Sequence, residues 1–325
     1  MNTPIELLEV TSELGAGTRG AALGVGALKV AAYNQKSDFF SRYPIVHVRD
    51  FNEFLFQPYT TKNAIRIEHI LKEFVQISGS VCSTMERGMF PFLLSGDHST
   101  AAATIGGIKK YNPTLRLGVV WIDAHADIHS PYTSPSGNVH GMPLGIATQI
   151  DNLDKKINDI TPETKDYWEK LKKIGGREPN VKPEDIVYVG VRDTEAPEDY
   201  LIKKHNIKLI SVDEVKKSTT ASIVEQITNY LTDCDLIYIS FDVDSMDPNE
   251  VSHGTGTPVE NGLPLNKTQS LLNQLVANEK VCCFEIVEIN PCLDNKRNKM
   301  AETAFNIVDS VARIIETKSN TYNLS

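Results

Sequence analysis

Short uninterrupted apolar runs recur along this chain, separated by longer segments with apolar residues at every third or fourth position. Alternation of a strand signal with a helix signal builds βα units, and βα units close into a mainly parallel sheet covered by helices. The runs predict strands at Ile5–Val10, Pro44–Val48, Phe90–Leu94, Leu117–Ile122, Ile186–Val191, Ile207–Ser211, Leu236–Phe241 and Val281–Glu288. Amphipathic spacing predicts helices over Lys62–Ser78, Ala221–Leu231 and Asn266–Ala277. The expected fold is α/β, a mainly parallel sheet with helices on both faces. Residues 151 to 185 are dense in Lys, Asp and Glu and read as a surface excursion with a helix around Pro162–Ile174. The polar tail from Lys318 to Ser325 is expected to fray.

Three of the predicted strands end in metal-type ligands. Asp123-Ala-His125-Ala-Asp127 follows Leu117–Ile122, Asp242-Val-Asp244 follows Leu236–Phe241, and His98 closes the segment that begins at Phe90. Alternate residues of an extended chain share a side, and open parallel sheets bind ligands beyond the carboxyl ends of their strands. A lone Asp-x-Asp or Gly-Asp-His is usually a turn or a helix cap. Three ligand-bearing ends at equivalent positions are a different matter. Four carboxylates packed together repel unless cations join them, so two divalent ions are expected. Carboxylate and imidazole donors without a thiolate favour Mn²⁺, with Co²⁺ or another divalent ion as a substitute. Such a pair equips a hydrolase.

The chain has 325 residues and a formal charge of −9, with no basic run, which argues against a nucleic-acid partner. Apolar stretches fall short of a membrane span and the first residues lack a basic leader, so a soluble, cytoplasmic protein is expected. Its five scattered cysteines read as buried thiols. Gly15-Ala-Gly17-Thr-Arg-Gly20 fits a dinucleotide fingerprint, but the second strand ending in an acid is missing downstream. The glycines are expected to form a tight loop near the substrate cleft.

At these residues the chain resembles the ureohydrolase family of manganese amidinohydrolases, which includes arginases, agmatinases and formimidoylglutamases. The likeness runs through Gly96-Asp-His-Ser99, Asp123 to Asp127, Ser240 to Pro248, Gly254-Thr-Gly-Thr-Pro258 and Glu288-Ile-Asn-Pro291. It covers nearly the whole length, implying one domain over 1–325 with an arginase-like α/β/α sandwich. Ser136-Gly-Asn-Val-His-Gly-Met-Pro143 points to the arginase branch. The resemblance implies two Mn²⁺ per subunit, one held by His98, Asp123, Asp127 and Asp242, the other by Asp123, His125, Asp242 and Asp244. It further implies hydrolysis of L-arginine to L-ornithine and urea by a metal-bridging hydroxide, in a trimer or hexamer. By the same carry-over Asp127 orients the nucleophile, His140 shuttles protons, and Glu288 pairs with the guanidinium. Ser134, Ser136 and Asn138 would hold the substrate carboxylate, Glu195 with Asp193 and Glu198 its amino group, and Thr257 would line the pocket. The alternative is a ureohydrolase acting on agmatine, another guanidino acid or formiminoglutamate.

Two departures bear on substrate choice. His129 stands where familiar arginases carry an asparagine that touches the substrate carboxylate, and Glu195 stands where many have aspartate. Ser136 and Asn138 can also serve simply to stabilise the turn around Gly137.

Overall fold

A computed structural model describes residues 3–318. Its strands are β1 (Ile5–Val10), β2 (Ile45–Val48), β3 (Phe90–Ser95), β4 (Leu117–Ile122), β5 (Ile186–Val189), β6 (Lys208–Ile210), β7 (Leu236–Asp242) and β8 (Val281–Val287). They form one sheet in the order β2-β1-β3-β8-β7-β4-β5-β6, with every pairing parallel. All eight predicted strands are present. Every residue of β1, β3, β4, β7 and β8 is buried, whereas the edge strands β2 and β6 are partly exposed. Parallel strands covered on both faces need such continuous apolar runs.

Helices pack in two sets. Gly24–Asn34 lies against Lys299–Thr317, which also contacts β1 and Leu265–Val276, and that helix in turn meets Thr220–Tyr230. Ile67–Glu86 contacts β1, β2 and β3 together with Ala101–Tyr111 and Pro162–Lys172. Lys299–Thr317, not singled out above, buries Ala304, Ile307, Val308, Val311 and Ile315 at helical spacing. Each large aliphatic chain so buried contributes about 1.5–3 kcal/mol.

The 151–185 segment is more than a surface excursion. Its helix, Pro162–Lys172, starts as expected: the Thr161 hydroxyl accepts the Thr164 N–H and a proline occupies the first turn. Trp168 is fully buried. The Trp168 indole N–H and the Lys172 ammonium both donate to Asp151 Oδ1, at 2.8 and 2.9 Å. At the far end, Arg116 holds Asp185 in a two-pronged pair, Nε to Oδ2 at 2.9 Å and Nη2 to Oδ1 at 2.8 Å. The charges are therefore a veneer over an apolar anchor.

The expected tail also needs amendment at its first residue. Lys318 is buried, and its ammonium donates to the carbonyls of Asn278 and Val281 at 2.7 and 3.0 Å. Residues 319–325 lie outside the described residues. Of the five cysteines, Cys234, Cys282 and Cys283 are buried as expected, but Cys82 is only partly covered and Cys292 is exposed. Among the described residues, no helix is long and apolar enough to cross a membrane.

If residues 151–185 are integral to the fold, Trp168→Ala should cost about 3–5 kcal/mol in denaturant unfolding. A loss below about 1 kcal/mol, the range of surface substitutions, would show the segment to be dispensable.

Candidate metal centre

Sheet register assembles the site. Ile122 of β4 pairs with Phe241 of β7, so Asp123 and Asp242 leave the sheet side by side. Asp242 in turn pairs with Val287 of β8, which sets Glu288 beyond the next strand. His98 lies just past the end of β3, and its backbone N–H donates to Glu288 Oε1 at 2.9 Å. Gly96 permits that turn, because a Cβ there would sit 1.8 Å from the Ser12 carbonyl oxygen.

Donor atoms converge on the space so framed. His98 Nδ1 lies 3.0 Å from Asp123 Oδ2, 3.1 Å from Asp127 Oδ2 and 3.2 Å from Asp242 Oδ2. Yet His98 Nδ1 and Asp123 Oδ2 are buried without a hydrogen-bond partner. Buried polar atoms ordinarily find partners, and a cation held among these donors would supply the one that is missing. The ring is held by stacking on Trp121 (centroids 4.1 Å apart, planes 3° apart) and by Ser240 Oγ, 2.7 Å from Nε2. These contacts fix which nitrogen faces the carboxylates.

On the other side, His125 Nδ1 lies 3.0 Å from Asp244 Oδ2 and 3.5 Å from Asp123 Oδ1. Two donor groups result, His98 with Asp123 and Asp127, and Asp123 with His125 and Asp244. Asp123 belongs to both, one oxygen to each, as a bridging carboxylate would. Asp242 gives Oδ2 to the His98 side, and its Oδ1 accepts the Asp244 N–H at 2.8 Å.

The electrostatics fit the same reading. Burial, joined by the Asp123 charge, pushes Asp127 up to about 6. Burial and the charges of Asp244 and Asp123 raise Asp242 well above the usual carboxylate range. Buried acids so placed remain anions together only when positive charge joins them. Oxygen and imidazole donors without sulfur suit a hard or borderline divalent cation. All six expected ligands are thus brought together, and they fit two cations.

A cavity of about 320 Å³ opens on this cluster through His98, His125, Asp127 and Asp242. The expected substrate residues His129, Ser134, Ser136 and Asn138 line it, all from the segment after β4. Asp193 and Glu195, which follow β5, line it as well, together with Thr257, whose hydroxyl donates to Asp244 Oδ2 at 3.1 Å. Ser134 and Ser136 also brace the turn: their hydroxyls accept the N–H groups of Gly137 and Asn138 at 2.9 and 3.2 Å. His140 and Glu288 complete the wall, Nδ1 to Oε1 at 3.4 Å. Burial opposes charge on His140, but the Glu288 carboxylate outweighs it and raises the imidazole to about 9. Asp127 and Glu288 both adopt positive φ, 49° and 65°, a costly backbone for residues other than glycine that concentrates at functional sites.

Gly17 and Thr18 also line the cavity, so the glycine-rich loop does sit at the cleft. Thr18 and Gly141, which lie inside the two quoted motifs, line it as well, as does Pro135 between Ser134 and Ser136; none of the three has a donor pattern of its own to single it out, since their place depends on loops meeting across the sheet.

With this geometry in place, the comparisons with known proteins are decisive. The profile described as Arginase family matches residues 4–313. The chain belongs to the arginase family. It is 30% identical to an arginase of Bacillus subtilis over 314 residues, covering 96% of this chain and 98% of that one. The crystal structure of an arginase from Bacillus caldovelox is similar with a TM-score of 0.81 and 30% identity, over 96% of this chain and 98% of that chain. An Entamoeba histolytica arginase, solved in complex with L-ornithine, is similar with a TM-score of 0.81 and 25% identity, over 96% and 99%. The protein is accordingly a hydrolase of the arginase type, in the α/β architecture of that family.

Cation binding should release protons from the raised carboxyls. In protein stripped with a chelator, divalent-cation affinity is therefore expected to fall as pH drops from about 7.5 to about 5.5, read by titration calorimetry. An affinity constant over that interval would contradict the ligand assignment.

Proposed function

We propose that the protein hydrolyses L-arginine to L-ornithine and urea with two Mn²⁺ ions, held by His98, Asp123, Asp127, Asp242 and by Asp123, His125, Asp242, Asp244. The observation that carries this reading is one cavity lined both by His98, His125, Asp127 and Asp242 of the ligand set and by the Ser134–Asn138 and Asp193–Glu195 segments. When bound, a pair of divalent cations lowers the pKa of a water held between them and so supplies a nucleophile near neutral pH.

The remaining work falls to the chain's own groups. Glu288 is a buried carboxylate on the cavity wall, and a planar guanidinium is the cation whose forked donors match it. It would hold the reacting carbon beside the metal ligands, and such positioning is worth rate. Asp127, a carboxylate on the cavity wall, can accept a hydrogen bond from the attacking water and help move its proton. His140, hydrogen-bonded to Glu288, can deliver a proton to the departing amine. Hydroxyl and amide groups of Ser134, Ser136 and Asn138 offer donors to a carboxylate, while Glu195 offers an acceptor to an ammonium. An acidic contact and neutral donors in one pocket suit an amino acid better than agmatine, which has no carboxylate. The L-ornithine complex of the Entamoeba histolytica arginase supports the same substrate.

Manganese-loaded protein should release urea from arginine, with little from agmatine, and a chelator should abolish the release. Asp127→Asn should lower kcat by about 10²–10⁴-fold, the usual worth of a positioned base. Absence of urea with either Mn²⁺ or Co²⁺ would refute the proposal, and preference for agmatine would move the activity within the family.

A further inference from the structure

His129, Glu195 and Glu198 form a third His/acid cluster, separate from the two that share Asp123. Unlike them it is closed by hydrogen bonds. Glu198 Oε1 accepts the Ile128 N–H at 3.2 Å, and its Oε2 accepts the Glu195 N–H at 3.1 Å. His129 Nε2 lies 2.8 Å from Glu195 Oε2, and its Nδ1 lies 3.0 Å from the Thr133 hydroxyl. No donor is orphaned in the way that His98 Nδ1 is. The cluster is therefore a hydrogen-bonded fixture in the cavity wall.

We propose that His129 is a positioning residue that clamps Glu195, presenting that carboxylate to a substrate ammonium and thereby setting preference for substrates that carry an α-amino group. The proposal deepens the amino-acid reading of the cavity and rests on it.

The two partners differ in freedom. His129 is only 5% exposed, and its N–H donates to the Gly141 carbonyl at 3.0 Å. Its carbonyl is so closely packed that a Cβ on Gly145 would lie 2.0 Å from the oxygen. The Glu195 side chain, by contrast, is 55% exposed at the start of the helix Ala196–Lys204, where the Glu198 N–H meets it as half of a capping box. An exposed glutamate samples several rotamers, and fixing it only when substrate arrives costs affinity. The rigid imidazole, acting with the capping box, reduces that cost beforehand. A carboxylate only accepts, so Nε2 must carry the proton in this contact. Oε2 is thus engaged by His129, and the partly exposed carboxylate keeps lone pairs for a further donor.

Side-chain reach makes the pair specific. An asparagine amide at position 129 projects about as far as an imidazole Nδ1, whereas a glutamine amide approaches the Nε2 position. A donor at 129 therefore has to reach the Nε2 position to meet Glu195. Glu198 completes the cluster by accepting the N–H of Ile128, the residue before His129, and the N–H of Glu195 itself.

The test uses manganese-loaded protein with His129→Ala, His129→Gln, Glu195→Ala and the His129→Ala/Glu195→Ala double variant. Calorimetry compares L-ornithine with its des-amino analogue, and steady-state kinetics compare arginine with des-amino arginine. His129→Ala should weaken ornithine by about tenfold and the des-amino analogue by no more than about twofold, with the arginine loss greater in KM than in kcat. His129→Gln should restore most of the discrimination. In the double variant, His129→Ala should add little to Glu195→Ala, since coupled residues are not additive. Equal weakening of both ligands, unchanged ornithine binding, or multiplying effects in the double variant would each overturn the clamp. Urea release without His129-dependent discrimination would remove the clamp alone. His129-dependent ornithine binding without urea from arginine would support the clamp and defeat the arginine reading.

Discussion

Four carboxylates in one buried space are the constraint on which this molecule turns. Asp123 and Asp242 are delivered there by adjacent strands in register, and Asp127 and Asp244 follow within a few residues. Their mutual repulsion grows as water is removed, and the cheapest remedy in a low-dielectric space is bound cations. A sheet able to hold that arrangement must be rigid. The burial of every residue in β3, β4, β7 and β8 provides the rigidity.

Support for the ligands comes from polar groups below them. Glu285 lies in the middle of β8, buried, and accepts the hydroxyls of Ser95 and Thr100 at 2.6 and 2.9 Å and that of Tyr238 at 2.6 Å. It ties the end of β3, the turn after His98 and β7 together beneath the centre. Asp97 does similar work sideways. Its carboxylate accepts the N–H groups of Gly15 and Ser99, at 3.0 and 2.9 Å, which joins the glycine-rich loop to the His98 turn. Metal ligands depend on such partners for orientation, and their loss weakens the site without touching a ligand.

Much of the fold was legible because the parallel sheet writes itself as apolar runs, and the metal ligands because they sit directly after three of those runs. Boundaries were lost where tertiary contacts intervene. The first predicted helix starts at Ile67, not Lys62, because the Ile65 N–H is taken by the Gly137 carbonyl. It runs through Gly79 to Glu86 because Val81, Thr84 and Met85 remain buried on its core face. The strand expected to reach Val191 stops at Val189, since Gly190 turns to φ 90°. Ser211 caps the next helix instead of ending a strand, its hydroxyl accepting the Glu214 N–H. The tethering of residues 151–185 was hidden because one tryptophan outweighs a charged composition. Pairing of His129 with Glu195 was beyond reach of any local pattern, as the partners come from different crossovers.

The central claim is a pair of cations bridged by Asp123. Anomalous diffraction from manganese-loaded crystals tests it most directly. Two peaks about 3.5–4 Å apart are predicted, one beside His98 and the other beside His125, with an Asp123 oxygen on each. A single peak, or peaks away from these side chains, would contradict the account.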